Sequence, residues 1–328
     1  MNKIIVSRAP MRISFVGGGT DIKDFYKIKN GEVFSLAIKK YVYLVLNEYH
    51  DPNRNLIKYS MTEKVGKKDK IKHNIFRNAI KKYNAWGIDF NSIADIPAGT
   101  GLGSSSSFCV SLINAIKYFK NNKLVSKNIL AKEACNLEIN LCKYPIGKQD
   151  QYISSFGGLC SIKFKKDEKV IVEKINNKKT INNLVSNCLI FNTNVVKDNF
   201  KILKDEIKNF RRNNSKFKIL EQIKSHVKFF ENAVKKNDVD TYGDILDSYW
   251  ENKKKLSNYI TNSKFDELID ISKQNGAIGS KIIGAGGRGY LLVIAKKNNH
   301  KKIKNGLKKL QSFIIEPDLS GAKIIYKG

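Results

Sequence analysis

Between Asp95 and Ser107 the chain reads Asp-Ile-Pro-Ala-Gly-Thr-Gly-Leu-Gly-Ser-Ser-Ser-Ser, and an apolar run from Phe108 to Phe119 follows at once. Glycines at 99, 101 and 103 open backbone conformations closed to other residues and let main-chain N–H groups come close to a ligand. A loop of this kind that starts a helix aims unpaired N–H groups and the positive end of the helix dipole at one spot, which suits a phosphate. The serines can cap the helix or offer hydroxyls to a metal accompanying that phosphate. The same letters also describe a flexible loop before an ordinary helix, so the rest of the chain has to choose.

With 328 residues there is room for two domains, each with its own core. A hydrophobic share of 41% and an aromatic share of 10% exclude a disordered chain. No apolar segment approaches the ~20 residues that cross a bilayer, so no membrane partner is expected. The start, Met1 to Arg8, has too short an apolar stretch for a secretory signal and reads as an edge strand. Five cysteines (Cys109, Cys135, Cys142, Cys160, Cys188) stand scattered, never as C-x-x-C, which fits reduced thiols in the cytoplasm. The formal charge of +30 points towards nucleic acid, but 53 of the 60 basic residues are lysines, spread along the chain among asparagines. Arginine, whose planar fork suits phosphates and base edges, is scarce. The charge is read as solvated surface with anionic substrates as a secondary beneficiary, and nucleic-acid binding rests on charge alone.

Along the chain, Ile4–Val6 and Met11–Val16 predict strands flanking Pro10, which marks an edge or a break. Gly17–Asp21 is a tight loop before a short helix near 23–28. Val33–Ile38 and Tyr41–Glu48 suggest a hairpin, and residues 51–69 read as a polar loop. A helix over 70–83, a strand over 90–96 and a buried helix over 104–119 follow. Ser126 caps a helix reaching Cys142, with Leu130, Ala134, Leu137 and Leu141 at helical spacing. Pro145 and Gly147 turn the chain into Lys148–Tyr152, and strands lie near 159–164 and 170–175. The polar stretch Asn176–Asn183 is the expected boundary, giving domains 1–180 and 181–328. The second half opens with a strand over 188–192 and a helical region from Asp198 to Tyr259, broken near 213–214 and 237–238. A helix over 265–274, strands 277–283 and 290–295 joined by Gly284–Gly289, a helix over 298–310, and strands at 313–315 and 323–326 close it. Helices and strands mix without strict alternation, so the fold class expected is α+β.

Three glycine-rich segments, at 17–19, 99–103 and 284–289, thus stand far apart, each beside a strand. Their order resembles the GHMP small-molecule kinases. The first motif of that family is matched by Ala9-Pro10-Met11-Arg12 through Gly18-Gly19-Thr20-Asp21, one residue short before the aspartate. The second is matched without a gap from Pro97 to Ser105, and the third by Gly284 to Gly289. The resemblance implies a two-domain α+β architecture: an N-terminal ribosomal protein S5 domain 2-like domain and a ferredoxin-like C-terminal domain. Within the family, residues 12–21 and 147–152 look most like D-glycero-D-manno-heptose 7-phosphate kinases, which phosphorylate the anomeric hydroxyl on the way to GDP-heptose for surface polysaccharides. A kinase for another sugar (fucose, galactose or a hexosamine) and a non-catalytic sugar sensor remain as alternatives.

Carried over residue by residue, the resemblance places the ATP phosphates on Pro97, Gly99, Gly101, Leu102, Gly103, Ser104, Ser105 and Ser106. It implies Mg2+ held by the Ser105 hydroxyl, with Ser104 as alternative, and by Glu138, with Glu133 as rival. Asp150 is the implied general base, the other reading being an N-cap carboxylate, and Arg12 would offset charge at the transferred group. Lys148 could assist or simply sit on the surface. The sugar phosphate would meet Arg12, Gly17, Gly18, Gly19, Thr20, Asp21, Asp150, Gly286 and Gly287. Two departures stand out: Arg288 interrupts the third glycine run, and Lys197 stands where relatives carry an arginine. Arg288 could contact a phosphate or point outwards; Lys197 is a candidate contact to the 7-phosphate, although a lysine lacks the bidentate fork. Oligomeric state is left open, a homo-oligomer included.

Overall fold

A computed structural model of the chain describes residues 3–195, 199–212, 214–287 and 289–328. The chain begins with strand β1 (Ile4–Val16), helix α1 (Lys23–Lys29), the 18-residue strand β2 (Gly31–Glu48), and then β3 (Arg54–Lys58) and β4 (Thr62–Gly66). Helix α2 (Asn74–Tyr83) and strand β5 (Ile88–Ala94) lead into α3 (Ser104–Asn121). Next come α4 (Lys127–Cys135), continued by a π-helical turn over Asn136–Leu141, then α5 (Gln149–Phe156), β6 (Leu159–Phe164) and β7 (Val170–Ile175). Helix α6 (Lys178–Ser186) and strand β8 (Cys188–Asn192) precede three helices, α7 (Asn199–Arg212), α8 (Asn214–Lys236) and α9 (Val239–Lys254). Helix α10 (Ser263–Gln274), β9 (Gly279–Ile282), β10 (Tyr290–Ile294), α11 (His300–Gly306) and β11 (Lys323–Lys327) complete the described chain.

Two sheets organise these elements, as an α+β fold requires. The larger runs β11-β1-β2-β5-β3-β4, with β6 and then β7 added along the first half of β2, and the smaller runs β8-β10-β9. Pairing is antiparallel except between β3 and β5. Helix α3 lies against β1 and β2 with its apolar run buried from Phe108 to Ile116. The second half is tied to the first by Phe230 of α8, whose ring centroid lies 5.4 Å from Phe15 and 5.5 Å from Phe34. A fully buried phenylalanine of this kind is worth about 3–5 kcal/mol against alanine. Phe15 stands two residues before Gly17, so this packing fixes where the first glycine loop leaves the sheet.

Several sequence expectations are corrected. The hairpin expected over 33–48 is one strand, because Lys39 and Lys40 are not a turn but a bulge: Pro10 faces Tyr41 while Met11 faces Ile38. A bulge is also where a strand tolerates a residue without an N–H, so β1 runs through Pro10 instead of breaking there. The loop expected over 51–69 contains the β3–β4 hairpin. Its core-facing positions include polar Asn55 and Glu63, both buried and hydrogen-bonded, which hid the alternation. Residues 313–315 form no strand; an isolated bridge from Phe191 to Ser312 is all that extends the small sheet. The last strand, β11, returns to pair with β1.

Candidate active site

The three glycine-rich segments and the start of α5 converge on one cleft of about 220 Å³. One side is the start of α3. Gly103 caps that helix in the left-handed region (φ 77°), with Gly99, Gly101 and Ser104 to Ser106 lining the cleft beside it. The helix N-terminus therefore opens into the cleft, as an anion site needs. Leu102 and Pro97 support the loop without lining the cleft. The Leu102 carbonyl accepts the Arg12 backbone N–H at 2.9 Å, and the Pro97 carbonyl accepts the Thr100 hydroxyl at 3.3 Å.

The third segment closes over the second. A Cβ placed on Gly284 would lie 2.9 Å from the Gly101 carbonyl oxygen, and one on Gly289 (φ 105°) 2.1 Å from the Thr100 carbonyl oxygen. Gly284 and Ala285 line the cleft; Gly286 and Gly287 do not, being packed against Ile260 and Ile202, with the Gly287 N–H donating to the Ile260 carbonyl at 2.7 Å. Arg288 and Lys197 lie outside the described residues.

Opposite the loop stands Asp150, in the first turn of α5 and not at its N-cap, which is Lys148. Both its oxygens accept from Arg12, Nε to Oδ1 at 2.8 Å and Nη2 to Oδ2 at 2.9 Å. Arg12 is buried, and its remaining Nη1 donates to the Gly101 carbonyl, so one guanidinium ties the carboxylate to the glycine loop. Asp150 Oδ2 would be 3.2 Å from a Cβ on Gly103. The carboxylate thus abuts the point where α3 begins. Lys148 turns away: its ammonium pairs with Glu168 and lies 4.5 Å from the Tyr26 ring centroid.

Asp21 lines the same cleft as Asp150. Its Oδ2 accepts the Gln149 N–H at 3.0 Å and its Oδ1 the Gly19 N–H at 3.2 Å, which zips the Gly17–Asp21 loop to the start of α5. Gly147 makes this possible, since a Cβ there would fall 1.9 Å from Asp21 Oδ2. Burial pushes the Asp21 carboxyl up, the Gln149 N–H pulls it back, and the Asp150 charge adds to the rise. Gly18, Gly19 and Asp21 line the cleft, whereas Thr20 is buried, its hydroxyl oxygen 2.8 Å from both the Gly17 and the Glu32 carbonyl oxygens, with one proton to share between them.

Glu138 sits on the π-helical turn, a device that inserts a residue per turn and is frequent at functional sites. The same insertion rotates Leu141 out of the predicted apolar face, leaving it 41% exposed. Glu138 is fully buried, with Oε1 accepting from the Ser105 hydroxyl at 2.9 Å and Oε2 from the Gln151 amide at 2.6 Å. Burial pushes its carboxyl up to about 7, against hydrogen bonds from Ser106, Gln151 and Ser105. Glu133, the rival, is turned elsewhere and engaged by Tyr83 and Lys117. Glu138 has no ion-pair partner among the described residues. A buried carboxylate beside a hydroxyl at a helix N-terminus is a pair of hard oxygen donors of the kind magnesium takes. No cluster of three or more His, Cys, Asp or Glu that could hold a metal ion occurs among the described residues.

Sequence reasoning missed Lys253 and Glu206. Lys253 lines the cleft beside Gly19 and forms a buried ion pair with Glu206, Nζ to Oε1 at 2.8 Å. The signal was present: Tyr242, Leu246, Tyr249, Trp250 and Lys253 form one buried stripe of α9, on which a lysine is out of place.

The chain is similar to known proteins over most of its length. Residues 71–158 match the family model for the GHMP kinases N terminal domain and residues 230–312 that for GHMP kinases C terminal, together just over half of the chain. The chain is 26% identical over 325 residues to a D-glycero-alpha-D-manno-heptose 7-phosphate kinase of Campylobacter jejuni, covering 95% of each. It is 25% identical to a galactokinase of Thermotoga petrophila, covering 92% of each. Among solved structures, a D-glycero-D-manno-heptose 1-phosphate kinase from Bacteriodes thetaiotaomicron superposes with a TM-score of 0.81 at 21% identity, over 98% of this chain and 99% of that one. At that identity the likeness shows the fold. The chain belongs to the GHMP kinase family.

Proposed function

We propose that this GHMP kinase transfers the γ-phosphoryl group of ATP to the anomeric hydroxyl of D-glycero-D-manno-heptose 7-phosphate, giving the 1,7-bisphosphate for a GDP-heptose and surface-polysaccharide route in the cytoplasm. As a member of this family the protein is an ATP-dependent sugar kinase. One observation carries the mechanism: the Asp150 carboxylate, gripped by Arg12, lies against Gly103 at the start of α3, in a cleft that Asp21 also lines. A carboxylate in that place can take the acceptor's hydroxyl proton as the oxygen attacks a phosphate seated on the glycine loop.

Each residue has a role in this reading. Gly99 to Ser106 hold the donor phosphates through main-chain N–H groups and the α3 dipole. Ser105 and Glu138 would hold Mg2+, whose part is to neutralise charge on the phosphates. Arg12 keeps Asp150 oriented and offsets negative charge where donor and acceptor meet. Gly18, Gly19 and Asp21 face the sugar, Asp21 accepting hydroxyl hydrogen bonds. Support for the particular sugar comes from the full-length similarity to the Campylobacter jejuni enzyme. The 7-phosphate contacts assigned to Lys197 and Arg288 remain part of the proposal.

The test is an ADP-release assay over a panel of sugars and sugar phosphates, with heptose 7-phosphate, heptose 1-phosphate, fucose and galactose included. Preference for heptose 7-phosphate supports the reading. Turnover of an unphosphorylated hexose in its place would reassign the substrate, and no turnover of any sugar would favour a non-catalytic sensor.

A further inference from the structure

The wall of the cleft behind Gly19 is charged on the inside. A Cβ on Gly19 would lie 3.5 Å from Lys253 Nζ and 4.0 Å from Glu206 Oε2. The Lys253 ammonium reaches both carboxylate oxygens, at 2.8 and 2.9 Å, and the two side chains are 3% and 1% exposed. They come from different helices, Glu206 from α7 and Lys253 from α9. Burial pushes the Glu206 carboxyl up, Lys253 draws it back, and Asp21 is among the groups that raise it again. Asp21, Glu206 and Lys253 are therefore electrostatic neighbours around one loop.

A buried ion pair is a poor way to join two helices. Taking both charges out of water offsets much of their attraction, and a well-packed apolar pair often does as well or better. Both positions lie on buried helix faces where Leu or Met would fit the pattern. Lys253 also faces the cleft, which it lines together with Gly19, Asp21 and Leu203, with Glu206 held behind it. An ammonium has three N–H donors, of which one is given to Glu206 Oε2, while Glu206 Oε1 is buried without a hydrogen-bond partner among the described residues. A bound hydroxyl can use what remains, accepting from Lys253 while donating to a carboxylate. A phosphate is disfavoured there, since Glu206 already neutralises Lys253 and Asp21 adds a second negative group close by.

We propose that Lys253 and Glu206 form a hydroxyl-recognition pair that reads one ring or side-chain hydroxyl of the acceptor at the Gly19 wall. The inference rests on the reading of the acceptor as a sugar, and it places any phosphate the sugar carries away from this wall. It makes the pair a determinant of which polyol is accepted, acting by direct contact with the substrate.

The experiment uses the best acceptor found in the sugar panel together with its single-deoxy analogues, on the parent protein, Lys253→Met, Glu206→Gln, the double variant and Lys253→Arg. The parent should lose about 10²-fold or more in kcat/KM on one deoxy analogue, because a site built to bond a hydroxyl rejects the molecule lacking it. The double variant should treat that analogue and the complete sugar within threefold of each other. The KM for ATP should stay within twofold of the parent's throughout, and Lys253→Arg should recover part of the discrimination. Equal discrimination by parent and double variant, with both proteins showing the same circular dichroism, would make the pair a structural tie and overturn the proposal. Should the variants fail to fold, the parent decides alone: the absence of any deoxy analogue losing more than threefold overturns it. A parent that turns over no sugar removes the functional reading and this inference with it, an outcome distinct from a working kinase indifferent to the pair.

Discussion

Arg12 holds Asp150 by two parallel hydrogen bonds, Nε to Oδ1 at 2.8 Å and Nη2 to Oδ2 at 2.9 Å, while its third arm rests on the Gly101 carbonyl. The fork fixes both oxygens of the carboxylate, which a point-charge ammonium could not do. It also links the proposed base to the phosphate loop through a single side chain.

Asp150→Asn keeps the shape and removes the negative charge, so kcat should fall by about 10²–10⁴ if the group takes a proton in the transition state. KM for both substrates should change only a few-fold, since neither depends on that proton. Steady-state ADP release measures both. A variant retaining more than a tenth of the parental kcat would show that another group serves as base.

Gly147→Ala tests the junction between the first loop and α5. The new methyl group would arrive 1.9 Å from Asp21 Oδ2, and the backbone turn leaves it nowhere to go. Asp21 must swing away and release the Gln149 N–H. Overpacking of this kind costs about 1–3 kcal/mol. Urea unfolding should register the loss, and kinetics should show a raised KM for the sugar with that for ATP little changed. A raised ATP KM alone would contradict the assignment of this side to the acceptor.

How much of this was legible beforehand depended on whether a residue's role is written in its neighbours. The glycine loops were, because left-handed turns and close backbone approaches leave few alternatives to glycine. The break at 237–238 was also legible, since Asn237-Asp238 interrupts a helical stripe. Strand β2 was misread because Lys39-Lys40 looks like a turn, and only its register with β1 shows a bulge. Glu138 was chosen over Glu133 by resemblance, and the geometry that separates them is the π-helical turn, which no local pattern announced. Lys253 and Glu206 were passed over because, among 60 basic and 30 acidic residues, one more of each reads as surface.

Glu138 makes a prediction about pH. Its carboxyl rises from 4.5 to about 7 on folding because burial disfavours the charge. Between those values the native state binds a proton that the unfolded chain has released, so the contribution is full below about 4.5 and lost as pH climbs through 7. The loss is on the order of 3 kcal/mol by pH 8. Glu138→Gln removes it, so the variant should gain on the parent between pH 5 and pH 8 in denaturant unfolding with chelator present. ATP with Mg2+ should narrow that gap by stabilising the parent more. A constant difference across the range would mean that Glu138 does not titrate there.

Gly289 offers the last test, because it lies outside every proposed contact yet touches the donor side. Its backbone has φ 105°, a region that side chains strain to enter, and a Cβ would sit 2.1 Å from the Thr100 carbonyl oxygen. Its own carbonyl accepts the Thr193 N–H at 3.0 Å, so the residue is pinned from the small sheet and cannot simply retreat. Gly289→Ala must therefore push the Pro97–Gly103 loop, not the third segment, out of place. The KM for ATP should rise about tenfold, a change of about 1.4 kcal/mol, with sugar KM within twofold. Titration of ATP into parent and variant by calorimetry separates this from a slower chemical step. Undisturbed ATP affinity in a folded variant would mean that the third glycine segment closes the cleft without bracing the phosphate loop.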